Sequence, residues 1–374
     1  MTDTANRPSP PNSPNSPNPP NLPNDAPTPS ARPTSRFGRA IDAIDERMGI
    51  KALSYPVPEH ANNLGWSLGG LTAVMFFTLL GSGIYLAQFY VPVPEEANQS
   101  VRDIMTNVWL GRFARGLHYW ASQAMFVLAV LHMLRVFLHG SFKKPREGNW
   151  IVGTALLLLT FLAVFTGTVI KWDQEGFEAL QHNLDVANLL GGAGVWFTPA
   201  LSNRVSIVLR MYTAHVVIIP GLILVLFTLH ALLVKRHKIS PHPLIAHPEA
   251  EDPEPFTNHL KRVGSFGLVV VGALSLLAVL IPPIIGPTPV EGIEVTRPLW
   301  FFWWFFPFEQ WFGVASVGLV IAAVFGLLFL TPFLDRSAGR YWRDRKVAVA
   351  VLLAVLIPLA VITINVWINN PKGH

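Results

Sequence analysis

Residues 116–134 read GLHYWASQAMFVLAVLHML, a run with no Asp, Glu, Lys or Arg that holds two histidines, His118 and His132, fourteen positions apart. At about 100° and 1.5 Å per residue, fourteen helical steps return to within about 40° of the starting direction, about 21 Å further along the axis. Both imidazoles therefore share one helix face, one near each end. Residues 211–234, MYTAHVVIIPGLILVLFTLHALLV, repeat the arrangement with His215 and His230, fifteen apart. Fifteen ideal steps turn this pair by about 60°, so it too lies on roughly one face of its helix. Ionisable groups in so apolar a setting are costly and mark function.

Five further stretches lack all four charged residue types: 61–94, 148–170, 263–290, 310–334 and 347–371. All seven are long enough to cross a hydrocarbon layer of about 30 Å. Only 14% of the 374 residues are charged and 51% are hydrophobic, against about 25% charged in soluble proteins. The expected fold is an all-α integral membrane protein of seven transmembrane helices. Cysteine is absent, which excludes disulfides, thiolate metal sites and thioether-bound haem on this chain. A net charge of +5 suits the flanks of membrane spans and gives no nucleic-acid groove.

Eleven of the 32 prolines fall in the first 33 residues. Residues 1–35 therefore read as a disordered Pro/Asn-rich tail, and the charged segment 36–60 as an amphipathic element lying on the lipid bilayer. The loops after the second, fourth and sixth stretches hold 3 (Lys143, Lys144 and Arg146, beyond Arg135 at the helix end), 5 and 5 Lys/Arg. By the positive-inside rule the N-terminus is cytoplasmic and the C-terminus outside, in what reads as a bacterial cell membrane. The second and fourth helices then run parallel. His118 and His215 share an outer level, and His132 and His230 an inner one. Two imidazoles per level is the ligand set of a bis-histidine haem, whereas zinc wants three or four ligands at one level. Two non-covalent b haems are therefore expected, with His118 and His215 on the outer iron and His132 and His230 on the inner. Gly69 and Gly83 in the first stretch, and Gly153 and Gly167 in the third, repeat the fourteen-residue spacing and leave room for a flat macrocycle. Arg115, Arg135 and Arg210 are candidate partners for haem propionates.

Three local sequences carry a family resemblance. Gly140-Ser-Phe-Lys-Lys-Pro-Arg-Glu147 follows the second stretch, Trp172-Asp173-Gln174 follows the third, and the fourth has its fifteen-residue histidine spacing. From about residue 60 to 370 the chain resembles cytochrome b of the cytochrome bc and b/f complexes. The resemblance implies a four-helix di-haem domain over 61–238 and a three-helix domain over 239–374, the two-chain b/f arrangement fused in one polypeptide. It implies the cytochrome b subunit of a respiratory quinol–cytochrome c (or equivalent acceptor) oxidoreductase. The implied partners are a Rieske iron–sulfur protein, a c-type cytochrome and a second copy of the chain, with no nucleic acid. Quinol would bind between Trp172, Asp173 and Gln174 and the segment holding Pro298 and Trp300. His237, Lys238 and Asp335 are candidates for an inner quinone site.

The chain departs from the family pattern at three places. Ser67 stands where the b/f branch has the cysteine of an extra covalent haem, so none is expected. Lys171 replaces the proline before Trp172. Pro298-Leu299-Trp300-Phe301 stands for the family's Pro-Glu-Trp-Tyr, so the carboxylate assigned to a quinol proton is missing. Glu309, between Phe308 and Trp311, is the first substitute proton acceptor and Asp173 the second. The missing carboxylate also favours an alternative, a di-haem membrane anchor relaying electrons between quinone and a peripheral enzyme. The last three helices, which an anchor does not need, speak against it.

Overall fold

The computed structural model describes residues 55–202, 204–244 and 253–369, and isolated helical positions between 39 and 47. The tail 1–35, and most of the segment expected at 36–60, lie outside the described residues. Ser54–His374 forms one compact unit.

Among the described residues, ten α-helices carry this unit: α1 (Leu64–Ala87), α2 (Ala97–Thr106), α3 (Gly111–Leu138), α4 (Glu147–Ile170), α5 (Gln174–Leu189), α6 (Ile207–His237), α7 (Phe256–Leu280), α8 (Phe306–Phe312), α9 (Ala315–Leu334) and α10 (Lys346–Asn369). Seven of them (α1, α3, α4, α6, α7, α9 and α10) are long and apolar enough to span a membrane. Their starts are capped by local chemistry. Asn63 Oδ1 accepts from the Trp66 amide at 3.1 Å, and Ser206 Oγ from the Leu209 amide at 3.2 Å, satisfying amides that the first turn leaves without partners.

A π-helical turn at Ala214–Ile218 interrupts α6. Pro220 has no amide hydrogen, and its ring crowds the carbonyl of Val216 four residues earlier, so the ladder widens there. A π turn inserts one residue without advancing the helix face. Fifteen residues through the bulge therefore act like fourteen, and His215 and His230 come closer into line than ideal helical steps would bring them.

Helix α1 packs on α3, α4 on α6, α7 on both α3 and α1, and α9 on α4. One buried cluster joins Met75 and Phe76, Ala121 and Met125, Ile219 and Ile223, and Leu274, from α1, α3, α6 and α7. A second joins Leu157 and Phe161 of α4 to Phe301, Phe302 and Phe325. Helix α10 leaves Val347, Ile357 and Trp367 exposed, as a helix facing hydrocarbon does.

One small feature departs from the all-α expectation. Strands β1 (Pro56–Pro58) and β2 (Pro253–Pro255) pair antiparallel, with Val57 opposite Glu254. They tie the start of α1 to the start of α7, where Tyr55 stacks on Phe256 at 4.8 Å. Helices α2, α5 and α8, with the loop 281–305, gather at the end of the bundle that holds His118 and His215.

Candidate functional site

The four histidines meet in two facing pairs. The ring centroids of His118 and His215 are 6.2 Å apart, and those of His132 and His230 are 6.4 Å apart. A metal bonded at about 2 Å to one nitrogen of each ring, plus the step from nitrogen to ring centre on both sides, needs roughly this separation. The donor set and spacing fit a bis-histidine haem at each level. Among the described residues, no group of three or more His, Cys, Asp or Glu is placed to hold a metal ion.

Each ring is backed by a glycine. An ideal Cβ on Gly69 would stand 2.9 Å from His132 Cε1, on Gly83 3.2 Å from His118 Cε1, on Gly153 3.4 Å from His230 Cε1 and on Gly167 2.8 Å from His215 Cε1. The four sequence-predicted glycines thus oppose the four histidines one to one. What they clear in this geometry is room for the imidazole edges as α1 approaches α3 and α4 approaches α6.

The two levels differ behind the rings. Ser82 Oγ donates to Thr78 O at 2.8 Å and lies 3.0 Å from His118 Nδ1. Thr166 Oγ1 donates to Leu162 O at 2.9 Å and lies 3.1 Å from His215 Nδ1. With its hydrogen committed to a carbonyl, each hydroxyl can only accept from the ring. Both Nδ1 atoms then carry the proton, and both Nε2 lone pairs are free for a metal. His132 Nδ1 is buried without a hydrogen-bond partner.

A cavity of about 590 Å³ opens beside the His118–His215 pair. Gly83, Gly167, Tyr119, Lys171, Glu175 and Leu299 are among the residues lining it. Arg115 lines it too, donating to Pro283 O at 2.8 Å. Arg135 donates to Gly65 O at 3.3 Å and lies 4.0 Å over the Trp66 ring, near the other pair. Arg210 reaches the carbonyl of Thr198 at 2.8 Å.

The predicted quinol-site residues form a brace that fixes the loop 281–299. Trp172, buried at a backbone φ of 50°, turns the chain from α4 into α5. Asp173 accepts from the Gly176 amide at 3.0 Å and the Gly286 amide at 2.9 Å. Gln174 donates to the Val290 carbonyl at 3.2 Å and accepts from its amide at 2.7 Å. Glu178, one turn on, accepts from the Val295 and Thr296 amides at 2.9 and 3.0 Å. Burial alone would raise its pKa, but these bonds outweigh it and hold the carboxylate below its ordinary value. The Pro298 carbonyl accepts from the Trp303 indole at 2.7 Å, and the Trp300 indole donates to Gln123 at 2.7 Å.

Glu309 lies elsewhere, accepting from His182 Nδ1 at 2.9 Å. That bond lifts the His182 pKa above its usual value. Of the inner candidates, Asp335 is paired with Arg345 at 2.6 Å, and the His237 and Lys238 carbonyls accept from Arg146 at 2.8 and 3.3 Å.

Two groupings escaped the sequence. Glu175 sits in the cavity wall, ion-paired with Lys171. At the other end of the bundle, His60, His139 and His242 surround Trp66 with centroid distances of 4.5, 5.8 and 5.9 Å. The spacing of four between Lys171 and Glu175 was a signal for the first, although the two lie across the turn from α4 to α5. Loop residues as distant as His60 and His242 gave none for the second.

Residues 123–289 match the cytochrome b (N-terminal)/b6/petB family. Cytochrome b6 of Heliobacterium modesticaldum is 35% identical over 207 residues, 53% of this chain and 97% of that one. Cytochrome b6 of Heliomicrobium gestii is 35% identical over 190 residues, 50% of this chain and 89% of that one. The chain belongs to the cytochrome b/b6 family. It is an electron-transfer membrane subunit related to those of bc- and b6f-type complexes, and family membership implies haem b binding in general. The fold also matches a chain of a solved hyperthermophilic respiratory Complex III, with a TM-score of 0.75 at 20% identity over 87% of this chain and 90% of that one.

Proposed function

We propose that the chain is the cytochrome b subunit of a respiratory quinol–cytochrome c (or equivalent acceptor) oxidoreductase, with a four-helix and a three-helix part joined in one polypeptide. Two facing imidazole pairs, 6.2 and 6.4 Å between centroids and each ring backed by a glycine, carry the reading. The cytochrome b6 relatives match only about half of this chain, which supports the joined arrangement. His118 and His215 hold the outer haem b, His132 and His230 the inner. Bound there, haem b supplies reversible one-electron chemistry at iron.

The chain's own residues set where that chemistry happens. Ser82 and Thr166 keep the outer Nδ1 protons in place. Arg115 and Arg135 offer guanidinium groups for propionates, one at each level. Arg210, bonded to Thr198, is the weaker third candidate. Asp173, Gln174 and Glu178 hold the loop 281–299 over the cavity where quinol binds; Pro298 and Trp300 flank Leu299 of the cavity wall, and Trp300 bonds to Gln123 of the same wall. The electron acceptors on that face are a Rieske iron–sulfur protein and a c-type cytochrome, in a dimeric multi-subunit complex. The Lys/Arg-rich loops support a reading with this face outside and the N-terminus in the cytoplasm.

Purified protein should contain two haems per chain, all extractable by acid acetone because Ser67 offers no thiolate. Membranes should reduce a c-type cytochrome in a quinol-dependent way. One haem per chain, or haem retained on a denaturing gel, contradicts the assignment. Two haems without a Rieske iron–sulfur signal in the purified complex favours the di-haem anchor.

A further inference from the structure

We propose that Glu175 is the proton acceptor for quinol in the cavity beside the His118–His215 pair. This rests on the quinol-oxidising reading above and names the base it needs. Among the described residues lining that cavity, Glu175 is the one carboxylate. Leu299, where the family resemblance expects an acid, lines the same cavity with an aliphatic side chain. The carboxylate has moved from the loop to the first turn of α5.

Three observations give Glu175 this role. Its Oε1 is buried and makes no hydrogen bond of good geometry; the Leu299 backbone approaches the carboxylate from the loop, but an ionised carboxylate seeks several donors. A quinol hydroxyl in the cavity supplies one. Its Oε2 is bonded to Lys171, whose ammonium also lies 3.1 Å from Asp173. Asp173 is itself occupied by the Gly176 and Gly286 amides. The trio holds one cation and two carboxylates, so a proton on Glu175 brings it to neutrality and leaves Lys171 paired with Asp173.

The surroundings keep both protonation states within reach. Burial raises the Glu175 pKa and Lys171 draws it back, with a net rise. The other ionisable groups facing the trio are Tyr119 and Arg115 of α3, and the Leu299 backbone faces Glu175 from the loop. Glu309 and Asp173, the candidates from sequence, are engaged by His182 and by the loop amides and do not line the cavity. In the step itself the quinol O–H bond breaks, an O–H bond to Glu175 Oε1 forms, and the electron passes to the one-electron iron–sulfur acceptor.

The test is steady-state quinol oxidation by the purified complex across pH 5–9, with dithionite-reduced haem spectra as the assembly control. Glu175→Gln should lower kcat by tenfold or more, as loss of a general base does, with both haem spectra normal. Adding Leu299→Glu to that variant should restore turnover by returning a carboxylate to the same cavity. Glu175→Asp should keep partial turnover with a shifted acid limb of the pH profile. Wild-type kcat in Glu175→Gln, or an unshifted profile in Glu175→Asp, overturns the proposal while leaving the quinol-oxidising reading standing. A wild-type complex that reduces its haems chemically yet oxidises no quinol overturns both.

Discussion

Alanine at Gly167 adds one methyl group 2.8 Å from His215 Cε1, whereas alanine at Gly153 adds it 3.4 Å from His230 Cε1. Both glycines lie on α4 and both histidines on α6, so the pair is its own control. Carbon atoms in good contact sit about 3.5–4.0 Å apart. The first substitution must push the imidazole aside, and the second needs a few tenths of an ångström. The backbone effect has the same sign at both sites, since Ala favours a helix over Gly by about 1 kcal/mol. Any difference therefore reports on the contact. Overpacking costs about 1–3 kcal/mol, and about 1.4 kcal/mol is tenfold in a binding constant. Haem affinity at the His118–His215 level should fall roughly five- to hundredfold in Gly167→Ala. Haem content per chain, with a potentiometric titration resolving two components, measures it. Gly167→Ala should weaken one component, and Gly153→Ala should keep both. Equal losses in the two variants, or loss of the other component in Gly167→Ala, would show that these glycines do not clear space for the axial rings.

His118→Ala and His215→Ala should delete the same spectral component, and His132→Ala and His230→Ala the other; deletion of one component by both His118→Ala and His132→Ala would refute the pairing. Ser82→Ala and Thr166→Val remove acceptors of the Nδ1 protons and lower ligand basicity, so the midpoint potential of the His118–His215 component should rise by some tens of millivolts, about 59 mV for each tenfold of relative affinity, with the other component unmoved. Asp335→Asn should destabilise detergent-purified protein by about 3–5 kcal/mol in thermal unfolding at pH 7, because it leaves the buried Arg345 guanidinium without its partner. Burial alone would raise the Asp335 pKa, but hydrogen bonds from Ser337 and Arg345 outweigh it and hold it below the ordinary value. A depressed carboxylate stabilises the fold above its unfolded pKa of about 3.9, and that contribution is lost as pH falls. The gap between wild type and Asp335→Asn should therefore close below about pH 4, and a pH-independent gap would refute the ion pair as its source.

How much of the fold and the site was legible in the sequence depends on whether a feature is local. The seven spans and the histidine faces follow from charge-free length and a period of 3.6, and the structure has them. The π turn near Pro220, which brings the α6 histidines closer into line, was not legible, because it depends on how one carbonyl finds its partner. The glycines were found by spacing, but what stands opposite each needed the packing of α1 on α3 and α4 on α6. The proton chemistry was the least legible. Asp173 and Glu309 stood out because aromatic residues flank them in the chain. In space, amides of the loop 281–299 occupy the first, and His182 occupies the second. Glu175 drew no attention beside Lys171, since acid and base four apart on a helix usually mark a solvated pair. Burial changes its meaning. In water such a pair contributes a few tenths of a kcal/mol, whereas in a cavity wall it holds one oxygen on the ammonium and leaves the other without a well-formed bond. If Glu175 takes the quinol proton as proposed, Lys171 and Leu299, two departures from the family pattern, belong together. The first brings a cation to hold a new carboxylate, and the second removes the old one from the same space.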